Sequence, residues 1–224
     1  SRSTNRGIYR EAMTYVFQMD PLTPMSYSEK DLPADMRSLI DSGNTILQDK
    51  DGNYYSVSSF FGYPNPLASN ASQIDRTETN KVSGNLSVDL TPFKGFTFTS
   101  KLGYDLEASY NNIYTNDYYG SAQRNTPFAS VEQTNRQSLY YQWDNYVNYL
   151  HTFGRKHDLS VMVGHSFTKK HGSFTKGGLS ANGAHALQVD DPDLFGWLDF
   201  AAGSASKTNA GVENTLTSES YFGR

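Results

Sequence analysis

Acidic and imidazole side chains are the first candidates for chemistry in this sequence. Asp105 and Glu107 stand two residues apart, a spacing that on a strand puts both carboxylates on one face, as a glycoside-hydrolysing pair would require. A second group of carboxylates offers oxygen ligands of the kind calcium prefers, and it comprises Asp190, Asp191 and Asp193. The histidines, His151, His157, His165, His171 and His185, are scattered, and His165 with His171 lacks a third ligand at metal-site spacing.

Simpler interpretations of these groups are favoured. We expect the three aspartates to form a solvated acidic loop, the histidines to lie on surfaces or interfaces, and Asp105 and Glu107 to belong to a polar strand face. Asp49-x-Asp51-Gly52 resembles the opening of an EF-hand loop, but no Glu stands at the twelfth position, so we predict a turn. The sequence predicts no metal site.

The usual catalytic motifs are missing from the sequence. It has no cysteine, no glycine-rich phosphate loop, no Gly-x-Ser-x-Gly and no His-Glu-x-x-His. We therefore predict that the protein is not an enzyme, that it has no catalytic residues and that it binds no cofactor. A net charge of -4 also argues against a nucleic-acid partner. The densest basic stretch, Lys169, Lys170, His171 and Lys176, is interpreted as a solvated loop.

Aromatic residues are abundant for so polar a chain, with 16 Tyr, 13 Phe and 2 Trp. Two groups fall in segments that read as loops, where rings stack on sugars, meet a partner protein or pack the loops together. These alternatives stay open, and no substrate-binding residue is assigned. The loop aromatics are Tyr54, Tyr55, Phe60, Phe61, Tyr63, Tyr110, Tyr114, Tyr118 and Tyr119.

Strict apolar alternation then identifies the elements that would position these groups. Apolar residues occupy even positions from Val82 to Leu90 and from Phe96 to Leu106, a period of two that predicts strands. Pro92 and Gly95 supply a tight turn between them. A second hairpin is predicted from about 139 to 167, with its turn at 154–157. Short turns at one edge and long polar segments at the other are typical of outer-membrane barrels.

We accordingly predict an all-β fold, a segment of a large antiparallel transmembrane β-barrel with about four strands in two short-turn hairpins and long extracellular loops. Rings near the strand ends are candidates for two interfacial aromatic girdles: Tyr104 and Phe167 on the loop side, and Phe96, Tyr149 and Phe153 near the turns. In a soluble sandwich the same rings would be core.

The predicted organisation is a long extracellular loop region with a short helix at 1–80, barrel strands at 81–170 with a long loop at 107–136, a long extracellular loop at 171–215 and the start of the next strand at 216–224.

Several ordered motifs resemble SusC/RagA-type TonB-linked outer-membrane transporters. They are Asp49-Lys-Asp-Gly-Asn-Tyr54, Asn65-Pro66-Leu67-Ala68, the strand from Val82 entering Thr91-Pro92-Phe93-Lys94-Gly95-Phe96, Tyr149 to Gly164, and Ser220-Tyr-Phe-Gly-Arg224. The resemblance runs from about Ala12 to Arg224. It implies a Gram-negative outer-membrane location, active import of glycan fragments or peptides, a SusD-like lipoprotein lid and energy from the TonB-ExbB-ExbD complex.

The sequence also departs from this family. No signal peptide, plug or TonB-contacting segment is visible, so we expect the TonB complex to engage parts of the parent protein absent from this fragment. Residues 25–48 look longer than the usual loop, as an insertion would. Because unpaired strand edges cannot be satisfied in lipid, we hypothesise that the chain expressed alone aggregates or stays unfolded; a monodisperse, heat-stable soluble monomer would contradict the membrane interpretation. The alternative is a soluble or surface-attached β-rich carbohydrate-binding module.

Overall fold

A computed structural model describes residues 2–3, 13–58, 60, 62–154, 157–181 and 206–224. Helix α1 is described over residues 13–18. The other helices are a 3-10 turn at Glu29–Asp31, α2 (Ala34–Asp41) and α3 (Pro66–Ala71). The strands are β1 (Arg2–Ser3), β2 (Ser26–Tyr27), β3 (Tyr54–Tyr55), β4 (Gln73–Leu90), β5 (Phe96–Thr115), β6 (Tyr118–Ser121), β7 (Arg124–Thr126), β8 (Ser130–Phe153), β9 (His157–Ser180) and β10 (Ser206–Gly223).

The long strands form a sheet in the order β1-β4-β5-β8-β9-β10, and β2-β3 and β6-β7 form two small antiparallel pairs. Strands β4 and β5 are neighbours, as are β8 and β9, which confirms the two predicted hairpins. Gly95 has φ of 89° and Gly154 has φ of 56°, so each turn uses backbone that glycine adopts without strain. None of the helices in the described part of the chain has the length and apolar character needed to cross a bilayer.

The strands extend further than the apolar alternation predicted. Strand β5 runs to Thr115 and β8 begins at Ser130, so most of the loop predicted at 107–136 is strand, with the β6-β7 hairpin between. Likewise β9 continues to Ser180 and β10 begins at Ser206. Backbone pairing needs no apolar face, so the ladder continues where side chains are polar on both faces and alternation no longer reveals it.

Two helices within the predicted loop region were missed. Pro33 precedes α2 and Gly43, with φ of 85°, follows it, a proline-start and glycine-stop arrangement that was available in the sequence. Helix α3 begins with Asn65, whose side chain accepts a hydrogen bond from the Leu67 N–H, followed by Pro66 at the first helical position. The predicted first helix is confirmed over 13–18, and it ends ahead of Pro21.

The chain divides into two compact units. The first, named the loop unit, comprises Ser1–Glu78, Tyr110–Thr134 and Lys176–Ala210. Its core is a cluster of three buried residues, Tyr114, Val131 and Ala181, with Ile74, Ala129 and Leu179 packed against it. Met36 of α2 is also buried, at 1% exposure.

The second unit, named the strand unit, comprises Thr79–Ser109, Asn135–Thr175 and Gly211–Arg224. Many of its large apolar side chains are exposed rather than packed: Leu86 is 64% and Val163 61% accessible. Because successive strand side chains point to opposite faces, this unit has an apolar face and a polar face. Within the described residues, neither of these two faces is covered by a second layer of the chain.

Candidate functional site

The polar face of the strand unit is formed by the odd positions of β4 and β5 and the even positions of β8 and β9. Lys81 lies 3.1 Å from Asp105 in an ion pair, and the Thr99 hydroxyl donates to Asp89 at 2.6 Å. Thr79 donates to Ser109 at 3.3 Å. The contact between Thr99 and Asp89 joins two residues that alternation had placed on one face, so the predicted polar face is present, and the other contacts extend it to Thr79, Lys81 and Ser109.

On this face, the Asp144 carboxylate forms hydrogen bonds with side chains of both β8 and β9. Its carboxylate accepts hydrogen bonds from the Gln142 amide at 2.9 and 3.1 Å and from the Ser166 hydroxyl at 2.5 Å. On the neighbouring β5, the Lys101 ammonium lies 5.6 Å from the centre of the Tyr146 ring. The face therefore alternates acidic, cationic, amide and hydroxyl groups.

A groove of about 710 Å³ runs along this face. Its lining includes Lys101, Asp105, Tyr140, Gln142 and Asp144. One oxygen of Asp105 is held by Lys81, while Oδ1 is buried without a hydrogen-bond partner among the described residues. Such a groove offers hydrogen bonds and local charges to a polar solute.

The acid pair considered from the sequence is divided between two grooves. Asp105 lies in its ion pair with Lys81, whereas Glu107 lines a second groove on the same unit. Neither groove therefore gathers the two carboxylates around one bond, which is the arrangement that glycoside hydrolysis requires.

The apolar face carries aromatic contacts near the turns and again midway along β8 and β9. Near the turns, Phe93 and Phe96 have ring centres 4.9 Å apart, and His151 lies 4.3 Å from Phe153 and 6.0 Å from Tyr149. Further along the strands, Tyr141 lies 5.9 Å from Phe167. Both groups contain residues predicted for the girdles, and Tyr141 joins the second.

The spacing of these rings matches a bilayer. Phe96 and Tyr104 are eight residues apart on β5, and Tyr141 and Tyr149 are eight apart on β8. At about 3.3 Å per residue and a tilt of about 40°, eight residues rise roughly 20 Å. The apolar band of a transmembrane barrel is about 25 Å tall, so rings at these positions fall close to its two boundaries.

The histidines do not assemble a metal site within the described residues. His165 Nε2 lies 2.7 Å from Glu219 and its ring is 4.9 Å from Tyr221, while His171 Nδ1 lies 2.9 Å from the Thr215 hydroxyl. These are contacts between β9 and β10 on the exposed apolar side. His185 and the acidic group Asp190, Asp191 and Asp193 lie outside the described residues.

The loop aromatics divide between packing and exposure. Tyr114 is buried at 5% exposure in the core of the loop unit. Tyr54 and Tyr55 pair with Tyr27 and Ser26 in the β2-β3 pair, and Tyr118 and Tyr119 pair with β7. Phe60 and Tyr63 are exposed at 66% and 40%, whereas Phe61 lies outside the described residues. Phe60 and Tyr63 thus remain as candidate contact residues.

A buried polar network, which was not predicted, holds the loop unit together. Asp20 accepts hydrogen bonds from the hydroxyls of Ser58 at 2.5 Å and Thr23 at 2.8 Å, and from the Thr23 N–H at 2.7 Å. The Ser58 hydroxyl, with these further donors, lowers the pKa of the Asp20 carboxyl despite burial. Asn65 donates to the Met25 carbonyl at 2.7 Å and to Ser56 at 3.0 Å.

The predicted turn at Asp49 is present. Its carboxylate accepts from the N–H groups of Asp51 and Asn53, both at 2.9 Å, and Gly52 has φ of 83°. Hydrogen bonds from the backbone and side chain of Asn53 lower the pKa of Asp49. An aspartate that closes a turn on its own backbone accounts for the EF-hand-like sequence without a metal ion.

Comparison with known proteins relates this architecture to transporters. The chain is 24% identical over 209 residues to a TonB-dependent receptor, P26, of Formosa agariphila, covering 83% of this chain and 19% of that protein. Structures of the RagAB peptide transporter, and of the RagAB peptide importer in its closed-closed state, superpose with a TM-score of 0.63 at 17% identity. They cover 77% and 78% of this chain and 19% of theirs. No protein-family model matches the chain.

This chain thus spans about a fifth of the length of the proteins it matches, 19% in each case. The named relatives are a receptor and an importer rather than enzymes, which accords with the absence of catalytic motifs from the sequence. The predicted resemblance and fold class are both confirmed: the chain is similar to TonB-dependent transporters of the SusC/RagA type and has the fold of a segment of their barrel.

Proposed function

We propose that this chain forms part of the wall and extracellular loops of a TonB-dependent importer in a Gram-negative outer membrane. The observation that carries the proposal is the two-faced strand unit, apolar and exposed on one side and charged on the other. Lipid would cover the apolar face, and the polar face would line the path of the solute. The imported solutes would be peptides or glycan fragments.

The exposed apolar side chains support a lipid environment. Burying an apolar side chain is favourable by about 1.5–3 kcal/mol. Leu86, Leu90 and Val163 forgo this gain within the described residues, at 64%, 54% and 61% exposure. The aromatic contacts at two levels of the same strands, near the turns and around Tyr141 and Phe167, suit the two bilayer interfaces. A carbohydrate-binding sandwich, the alternative, would bury these side chains against a second sheet.

The proposed partners are supported by the resemblance to TonB-dependent transporters and to RagAB. We propose a SusD-like lipoprotein above the loop unit, where Phe60 and Tyr63 are exposed, and the TonB-ExbB-ExbD complex as the energy source, acting through parts of the parent protein other than this chain. The polar groove, with Lys101, Asp105 and Asp144, would contact the passing solute.

Cysteine labelling tests the membrane assignment, because this chain contains no cysteine and the complete protein without the added cysteine gives the background reaction. Val161→Cys and Ser160→Cys occupy adjacent positions on opposite faces of β9. In isolated outer membranes of cells expressing the complete protein, we expect a water-soluble maleimide to react with the Ser160→Cys thiol. A fluorophore placed at Val161→Cys should instead be quenched by nitroxide lipid. Equal reaction at both positions, or recovery of the protein in the soluble fraction, would overturn the assignment.

Uptake tests the transport function. A strain deleted for the gene should lose uptake of labelled oligopeptides or oligosaccharides, and a plasmid copy should restore it. Loss of peptide uptake alone, or of oligosaccharide uptake alone, would fix the substrate class. If the deletion left the uptake of both unchanged, the import proposal would be wrong.

A further inference from the structure

The second groove of the strand unit, of about 700 Å³, differs in charge from the first. It crosses four neighbouring strands, with Glu107 on β5, Arg136 and Ser138 on β8, Lys170 and Phe174 on β9, and Asn214 on β10. Two cations and one carboxylate give its lining a net positive charge, in a chain whose overall charge is -4.

The cations of this groove lack the partners that similar residues have elsewhere. Lys81 has Asp105 at 3.1 Å, and in the loop unit Lys176 has Glu132 at 2.7 Å. Arg136 and Lys170 have no carboxylate at ion-pair distance within the part of the chain that the structure describes. Glu107 lines the same groove but forms no ion pair with either.

Arg136 is also oriented for recognition. Its guanidinium carbon lies 5.2 Å from the centre of the Phe174 ring. A ring contact of this kind holds the guanidinium plane while leaving its N–H donors available, and these donors match the two oxygens of a carboxylate. Gly172 opens the space on β9 between Lys170 and Phe174, since the nearest heavy atom to a side chain there would be the Gln137 carbonyl at 3.9 Å.

We propose that this groove is a binding subsite for carboxylate groups of the imported solute, with Arg136 as the bidentate donor, Lys170 as a second cation, and Ser138 and Asn214 as neutral hydrogen-bonding groups. The inference deepens the proposed import function and rests on it. It makes acidic solutes, whether acidic peptides or uronate oligosaccharides, the preferred cargo of this wall.

A thiol placed in the groove measures its charge without requiring transport. Ser138→Cys, in outer membranes containing the complete protein, is treated with an anionic and a cationic thiosulfonate of similar size. We expect the anionic reagent to react faster, and we expect Arg136→Gln with Lys170→Gln to lower the anionic-to-cationic rate ratio by about tenfold. Lys169→Gln removes the same charge from the opposite face of β9 and should leave the ratio nearly unchanged.

Protection of the same thiol identifies the ligand. Trigalacturonate and a Glu-containing tripeptide should slow its modification, whereas trigalactose and the matching Gln tripeptide should not. The acidic probe that protects the thiol at the lower concentration indicates whether the ligand is a glycan or a peptide. Arg136→Lys, which keeps the charge but loses the planar pair of donors, should retain the rate ratio and weaken the protection.

The outcomes separate the subsite from transport. Equal protection by acidic and neutral probes, or a rate ratio unaffected by the paired Gln substitutions, would overturn the subsite while leaving import intact. Selective protection in a strain whose uptake does not depend on this protein would retain the subsite and overturn the import proposal.

Discussion

Tyr114 and Val131 in the loop unit are each 5% exposed, whereas Leu86 and Val163 in the strand unit are 64% and 61% exposed. The loop unit also buries Asp20, Ser56 and Asn65, and hydrogen bonds within the unit satisfy them. The loop unit thus supplies its own core and polar partners. The strand unit has regular backbone pairing, but many of its apolar side chains are not covered by other described residues. We therefore expect substitutions in the loop unit to change packing, and substitutions on the apolar face of the strand unit to change insertion into the membrane.

The largest effect should come from the core of the loop unit. Removing the ring of Tyr114 in Tyr114→Ala leaves a cavity, and we expect the loop unit to lose about 3–5 kcal/mol of stability. Hydrogen exchange of the membrane-embedded protein should speed up in peptides of the loop unit alone. Phe60→Ala is the control, since Phe60 is 66% exposed. Equal effects from the two substitutions would remove the distinction between packed and exposed loop rings.

The next effect should come from the apolar face. Val163→Arg places a charge among side chains that we assign to lipid, at an expected cost of about 2–4 kcal/mol near the bilayer centre. The amount of assembled protein, read from heat-modifiable migration on gels, should fall. Ser160→Arg on the polar face of the same strand should assemble normally. A reversed order for the two variants would contradict the assignment of faces.

A smaller loss is expected at the start of α3. Asn65→Ala removes a helix cap and leaves the Met25 carbonyl and Ser56 without their amide partner, at a cost of about 2 kcal/mol in the loop unit. Protease sensitivity of residues 13–72 should increase. Asn70→Ala, at an exposed position of the same helix, should change little. If Asn70→Ala were as damaging, the cost would belong to the helix rather than to the buried network.

The smallest effect should be a pH dependence of the stability of the loop unit. Hydrogen bonds led by Ser58 lower the pKa of Asp20, so its ionised form stabilises the fold. That contribution is complete above the ordinary carboxyl value of 3.8 and is lost as pH falls through the lowered value. Hydrogen exchange across this range should show acid opening of the unit. Asp20→Asn should reduce the dependence, leaving the part due to Asp49; an unchanged profile would exclude Asp20 as its source.

Local patterns predicted the hairpins well and the loop unit poorly. Alternation from Val82 to Leu106, with Gly95 at the turn, depends on neighbouring residues alone, and the structure has those elements. The burial of Tyr114 depends on Val131 and Ala181, which are distant in sequence, so packing and exposure could not be distinguished beforehand. Helix α2 had readable start and stop signals at Pro33 and Gly43, and Met36, Leu39 and Ile40 stand at helical spacing, so its sequence contained a helix signal that the loop interpretation passed over.

The candidate site was only partly foreseeable. Residue parity predicted that Asp105 lies on the polar face, but its ion pair with Lys81 depends on how β4 aligns with β5. The subsite around Arg136 requires β8, β9 and β10 together, and Arg136 fell in a segment predicted as loop. For a charged residue in a predicted loop, the sequence does not indicate toward which face of a sheet its side chain points, so the position of Arg136 on the polar face could not be predicted.

Gly95 fixes the alignment of two hairpins at once. Its carbonyl accepts the Leu150 N–H at 2.7 Å, and a side chain at this position would collide with the Leu150 carbonyl. A larger residue would therefore push β8 away from β5 where the ladder starts. Because a slip of one residue exchanges the faces of a strand, β8 paired one residue out of register with β5 would place Asp144 on the face opposite to Lys101. The absent side chain at Gly95 thus keeps the charged groups of the two hairpins on one face.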